Sequence, residues 1–128
     1  MTAKSNTIMI VEDSAELVKL YEMVLLKNEF YILGKSENGQ DAVELYRSSS
    51  EYPDLIIIDY RMPLKDGITA SKEILEMNPN QRIFMISADD SIENQAARSG
   101  ITQFLKKPFD LEEFVDTVTN LVMKQSSV

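Results

Sequence analysis

An α/β fold, a doubly wound parallel sheet of five strands with helices on both faces, is what this 128-residue sequence predicts. Three observations point there. Short runs rich in Ile, Val and Leu alternate five times with segments of helical period. The links between them are short, and strand–helix alternation with short links implies parallel strands joined by right-handed crossovers. One run, "LIII" at 55–58, is apolar at every position, as suits a strand covered on both faces.

The first strand is "TIMIV", 7–11. On the helix that follows, Leu17, Leu20, Tyr21, Val24 and Leu25 recur at the spacing of one buried stripe. "YIL" at 31–33 gives the second strand. After the Asn38-Gly39 turn a weaker helix spans about 40–48. "LIIID" at 55–59 is the third strand, and a helix over about 67–77 is stopped by Asn78-Pro79. The fourth strand is "RIFMIS", 82–87. The helix around 90–99 has a thin apolar face, Ile92 and Ala96, and should be the least firmly packed. "QFLKK" at 103–107 is the fifth strand. Leu111, Phe114, Val115, Val118, Leu121 and Val122 mark the buried stripe of the last helix. One domain is expected over 6–124, with a lead at 1–5 and a polar tail at 125–128.

Composition narrows the chemistry. A net charge of -8, from 13 basic and 21 acidic residues, argues against binding a nucleic-acid backbone. There is no Cys, hence no disulfide framework, and no His, the commonest acid/base catalyst. Any metal must be held by oxygen, which favours Mg or Ca over Zn. Gly34, Gly39, Gly67 and Gly100 fall in no phosphate-cradling motif. The N-terminal apolar run is too short for a signal peptide or a membrane span, so a cytoplasmic protein without membrane insertion is expected.

Parallel sheets of this kind bind ligands beyond the carboxyl ends of their strands. There the sequence puts Glu12 and Asp13, Asp59, Ser87 and Lys107. Each has an ordinary reading: Asp13 or Ser14 as a helix cap, Ser87 with Asp89 and Asp90 as another, Lys107 as an exposed turn residue. Together they do not, because three carboxylates at one edge repel and need raised pKa values or a cation. Mg²⁺ suits such a set.

Four stretches in this order, "IVED", "DYRMPLKDG", "ISA" and "FLKKPF", resemble the receiver domains of two-component response regulators over about 6–124. The resemblance implies the flavodoxin-like strand order 2-1-3-4-5. It makes Asp59 the phosphoacceptor, with Ser87 and Lys107 on the phosphoryl group. Mg²⁺ (or Mn²⁺) would be held by Asp13, Asp59 and the backbone carbonyl of Arg61, with Glu12 acting through metal-bound water. Ser87 and Phe104 would form the switch, and Arg61 and Asp89 would tune the lifetime of the phosphorylated state. Glu12 stands where Asp is commoner, and Phe104 lacks the hydroxyl of the frequent Tyr. A cis bond is expected at Lys107–Pro108.

The implied partners are a sensor histidine kinase or a histidine phosphotransfer protein, and a downstream protein on the face of helix 4, strand 5 and helix 5. Gln95 and Lys106 are candidate contacts on that face. The function implied is signalling rather than enzymatic turnover, with only self-catalysed phosphotransfer and autodephosphorylation. A phosphorelay intermediate is the alternative, weakly favoured by "KPFDLEEF". An aspartate-nucleophile phosphatase would carry D-x-D, but position 61 is Arg. A flavodoxin-like cofactor carrier would not place the acidic "VEDSAE" against a phosphate.

Overall fold

The computed structural model describes residues 6–123, so the expectations for 1–5 and 124–128 lie outside the described residues. The elements are β1 (Thr7–Val11), α1 (Ala15–Lys27), β2 (Tyr31–Ser36), α2 (Gly39–Ser48), β3 (Leu55–Ile58), α3 (Gly67–Met77), β4 (Ile83–Ser87), a 3₁₀ turn (Asp90–Ile92), α4 (Glu93–Arg98), β5 (Gln103–Lys106) and α5 (Leu111–Met123). All strand pairs are parallel, in the order β2-β1-β3-β4-β5.

Every residue of β1, β3 and β4 is buried. Alternate side chains of a strand point to opposite faces, so each strand feeds two apolar layers. Met9, Val11, Ile56, Ile58, Ile83 and Met85 pack with Ala42, Val43 and Tyr46 of α2, Ile74 of α3 and Ala96 of α4. Ile8, Ile10, Leu55, Ile57, Phe84 and Ile86 pack with Tyr21 and Leu25 of α1 and Phe114 and Val118 of α5. The unbroken apolar runs are the direct result of covering both faces.

Three expectations need correction. β2 runs on from Tyr31 to Ser36, because an outer strand needs no apolar run; Gly34 and Lys35 pair with β1 while Lys35 stays exposed. The segment 90–99 is not one helix. The Asp89 carboxylate accepts from the Ser91 N–H and closes a 3₁₀ turn, which leaves α4 only six residues. Leu111 is 42% exposed rather than part of the buried stripe, since it borders an open groove with Leu17, Leu20, Pro108 and Phe109. Lys107–Pro108 is cis.

Side chains set the helix starts beneath the upper edge. Ser14 accepts from the Leu17 N–H, Asn38 from Asp41 and Asp66 from Thr69. Because Ser14 caps α1, Asp13 is not committed to capping. After Asp66, Gly67 donates its N–H to the Tyr60 carbonyl at 2.7 Å, folding the loop back on the end of β3. A Cβ at Gly67 would collide with the Asp59 carbonyl and come within 3.0 Å of Met85 Cε. Leu64, in the same loop, holds φ +70°, a conformation that costs a non-glycine residue about 1–2 kcal/mol.

Gly67→Ala should therefore destabilise the fold by about 1–3 kcal/mol, the range for overpacking. Urea unfolding measures it. A change within error of zero would show that the loop yields without disturbing Asp59.

Candidate functional site

Backbone hydrogen bonds that extend the sheet fix the site residues. Glu12 N–H donates to Ser36 O at 3.0 Å, Asp59 N–H to Val11 O at 3.0 Å and Lys107 N–H to Ser87 O at 2.9 Å. Each residue lies at the end of its strand or one step past it, where the apolar layers stop. The sheet order puts β1 beside β3 and β4 beside β5, so residues far apart in sequence meet at one edge.

Carboxylate oxygens of Glu12, Asp13 and Asp59 lie within 4.8 Å of one another. Glu12 is 3% exposed and Asp59 9%, whereas Asp13 faces solvent. Lys107 Nζ bridges the buried pair, 3.3 Å from Glu12 Oε1 and 3.3 Å from Asp59 Oδ2. The remaining oxygens take backbone donors: Asp59 Oδ1 from Tyr60 N–H at 2.7 Å, Glu12 Oε2 from Ser14 N–H at 3.1 Å.

One ammonium does not offset the loss of water around two carboxylates. Burial raises the pKa of Asp59 above the usual carboxylate range despite the opposing pull of Lys107. Burial raises that of Glu12 as well, and the charge on Asp59 adds to it. Three convergent oxygen donors, two of them short of positive charge, suit a small hard divalent cation such as Mg²⁺.

Beside the cluster an open pocket of about 490 Å³ is lined by Asp59, Arg61, Ser87, Ala88, Asp89 and Lys107. Ser87 is buried, and its Oγ accepts from the Asp89 N–H at 3.1 Å. At the mouth, Arg61 Nη2 lies 2.8 Å from Asp89 Oδ2, with the Arg61 side chain 75% exposed. The hydroxyl and N–H of Ser91 hold the Asp89 pKa down, and Arg61 adds to this.

The structure thus brings together Glu12, Asp13, Asp59, Ser87 and Lys107, and places Arg61 and Asp89 as a pair across the rim. Phe104 is outside this group. It is half-buried against Ala96 and Ile101, on the α4–β5 side. Lys106 pairs with Asp90 at 3.3 Å, and Gln95 is exposed. Gly67, whose close approach fixes the Asp59 backbone, was not anticipated as a site residue, although the Asp-Gly pair at 66–67 was in plain view.

The family model for the response regulator receiver domain matches residues 8–119. The chain belongs to the response regulator receiver family. This receiver is 37% identical over 116 residues to the chemotaxis protein CheY of Bacillus subtilis (strain 168), covering 89% of this chain and 95% of that one. Its fold superposes with TM-score 0.84 on a chain in the crystal structure of the CheX-CheY-BeF3-Mg²⁺ complex from Borrelia burgdorferi. That match is 29% identical and covers 90% of this chain and 87% of that one. The receiver domain of Francisella response regulator 1452 matches with TM-score 0.85 and 26% identity, covering 95% of this chain and all, 100%, of that one. Among the described residues, no helix of the receiver is long and apolar enough to cross a membrane.

The raised pKa values have a sign that can be tested without metal. A carboxylate whose folded pKa lies above its unfolded value stabilises the fold below the unfolded pKa, and that stability is lost as pH rises through the folded pKa. As pH rises toward 7 Asp59 therefore works against folding. Asp59→Asn is expected to raise the stability of the metal-free receiver at pH 7. The advantage should shrink as pH falls toward about 4, the unfolded carboxylate pKa. Urea unfolding in chelator across this range checks it, and equal stability of the two proteins at pH 7 would contradict it.

Proposed function

We propose that Asp59 accepts a phosphoryl group from a phosphohistidine on a sensor histidine kinase or histidine phosphotransfer protein. The observation that carries this is the Lys107 ammonium, held 3.3 Å from an Asp59 oxygen at the wall of an open pocket. An Asp59 oxygen attacks phosphorus, the P–N bond to the donor imidazole breaks, and a P–O bond forms. Such transfers need positioning and charge stabilisation more than covalent help. With no His of its own, the chain cannot carry the donor group.

Asp13, Asp59 and the Arg61 carbonyl would hold Mg²⁺, with Glu12 acting through a water; Mn²⁺ is the alternative ion. When bound, the ion supplies positive charge between an anionic nucleophile and an anionic phosphoryl group. Lys107 pairs with one phosphoryl oxygen and the Ser87 hydroxyl donates to another. Ser87 Oγ accepts from the Asp89 N–H, which leaves its O–H to donate, so a move of the hydroxyl toward the phosphoryl group carries the Asp89 backbone with it.

That movement is the proposed switch. The loop from Ser87 leads into the 3₁₀ turn and α4, whose buried side chains are few: Ile92 on the turn and Ala96 on the helix. Few buried contacts make an element easy to move. Movement of Ser87 toward the phosphoryl group would shift this segment and let Phe104 turn inward. It biases an equilibrium between two arrangements of the α4–β5–α5 face, which a downstream protein reads. Gln95 and Lys106 are the proposed contacts there.

Arg61 and Asp89 are proposed to set how long the phosphoryl group lasts. Solvent screens an exposed pair of this kind, so its effect is to hinder approaching water rather than to add stability.

The primary test is incubation with acetyl phosphate and Mg²⁺. Wild type should gain one phosphoryl group by mass, and Asp59→Asn none; incorporation by the mutant at the wild-type level would refute the assignment. For the gate, autodephosphorylation should be faster in Arg61→Ala and in Asp89→Ala, with little further gain in the double mutant. Fully additive effects, or none, would remove the gate. For the switch, beryllofluoride should move amide resonances across 90–110. Shifts confined to the residues around Asp13 and Asp59 would count against it.

A further inference from the structure

Tyr21 is a buried polar side chain to which metal binding and phosphotransfer assign no task. It is 1% exposed on α1, roughly two turns past Ser14. Its ring stacks on Phe114 with centroids 5.0 Å apart and lies 6.3 Å from Phe109, which follows Lys107–Pro108. Side chains on a helix lean toward its N-terminus. The N-terminus of α1 lies at the sheet edge that carries Glu12 and Asp59, so the phenol leans toward the carboxylates. Its hydroxyl meets no hydrogen-bonding partner among the described residues. Such orphans are rare and costly in folded proteins. Burial pushes the phenol pKa up, and the charges on Glu12 and Asp59 push it further the same way, so the hydroxyl lies in the field of both. It stays a neutral O–H donor throughout the physiological range.

The donors at the floor of the site are fully committed. Glu12 Oε2 has the Ser14 N–H, and Asp59 Oδ1 has the Tyr60 N–H. Lys107 alone serves Glu12 Oε1 and Asp59 Oδ2. A phosphoryl group on Asp59 draws Lys107 to itself and leaves a buried carboxylate oxygen of Glu12 without that donor. We propose that Tyr21 is a positioning residue that takes over from Lys107, its hydroxyl donating to the Glu12 carboxylate once the ammonium has moved to the phosphoryl group. The inference rests on Asp59 as phosphoacceptor.

Tyr21→Phe removes only the hydroxyl and keeps the stacked ring. The full chain is titrated with Mg²⁺ alone and then with beryllofluoride and Mg²⁺, followed by amide chemical shifts. The variant should bind Mg²⁺ within about twofold of wild type and beryllofluoride about tenfold more weakly, the size expected for one hydrogen bond to a charged group. Its metal-free melting temperature should equal or exceed that of wild type. In a Glu12→Gln background the tenfold penalty should disappear. Unchanged beryllofluoride affinity in Tyr21→Phe, while wild type binds, would overturn the role of Tyr21 and leave Asp59 as acceptor. An equal loss of Mg²⁺ affinity, a lower metal-free melting temperature, or a penalty of the same size with and without Glu12→Gln would make the hydroxyl structural and overturn that role too. A wild type that does not bind beryllofluoride would overturn the acceptor reading itself and, with it, this one.

Discussion

A single ammonium between two buried carboxylates is the constraint around which the upper edge of this receiver is arranged. Lys107 reaches Glu12 and Asp59 at the same 3.3 Å, and that symmetry exists only because β1, β3, β4 and β5 are adjacent in the sheet. Were Asp59 one residue earlier, the pleat would turn it into an apolar layer. Were Lys107 not tied to Ser87 by its N–H, its reach to the carboxylates would be loose. The carboxylates stay short of positive charge even so, and that shortage is what gives the site its appetite for a cation.

The edge is held in this unfavourable state by the two layers beneath it. β1, β3 and β4 contribute side chains to both, so neither helix layer can shift without loosening the strands that carry Glu12, Asp59 and Ser87. The side facing α4 is different. A six-residue helix attached through a 3₁₀ turn has little to anchor it, and its flank is tied by the Lys106–Asp90 pair, whose side chains are both largely exposed. Rigid strands and a lightly held flank are the two properties a phosphorylation switch requires.

Strands and helices with continuous apolar signals were legible from the sequence alone. β1 and α3 fall where the spacing put them, and β3 and β4 within a residue. What escaped was set by polar or backbone detail. Gly34-Lys35-Ser36 extends β2 because an outer strand is stabilised by hydrogen bonds on one side and needs no apolar code. The break between the 3₁₀ turn and α4 depends on which hydroxyl and N–H the Asp89 carboxylate takes, and that is a matter of geometry. That Glu12, Asp13, Asp59, Ser87 and Lys107 meet at one edge was legible because these residues stop apolar runs abruptly. Tyr21 was read as core, correctly for its ring, and only the surroundings of its hydroxyl set it apart. The role of Gly67 depends on the return path of a loop, which spacing does not encode.

The outer strands of the sheet have a consequence for the molecule in a crowded solution. An open sheet ends in two rows of unpaired backbone groups, and a long flat apolar margin can recruit a strand from another copy. Here β2 skips register between Ile8↔Ile32 and Met9↔Gly34, which bends it, and it carries an exposed Lys35. At the opposite margin β5 is four residues long, with Gln103 and Lys106 exposed at its ends. Both margins are poor templates for polymerisation. Together with a net charge of -8, they disfavour the edge-to-edge joining of receiver sheets.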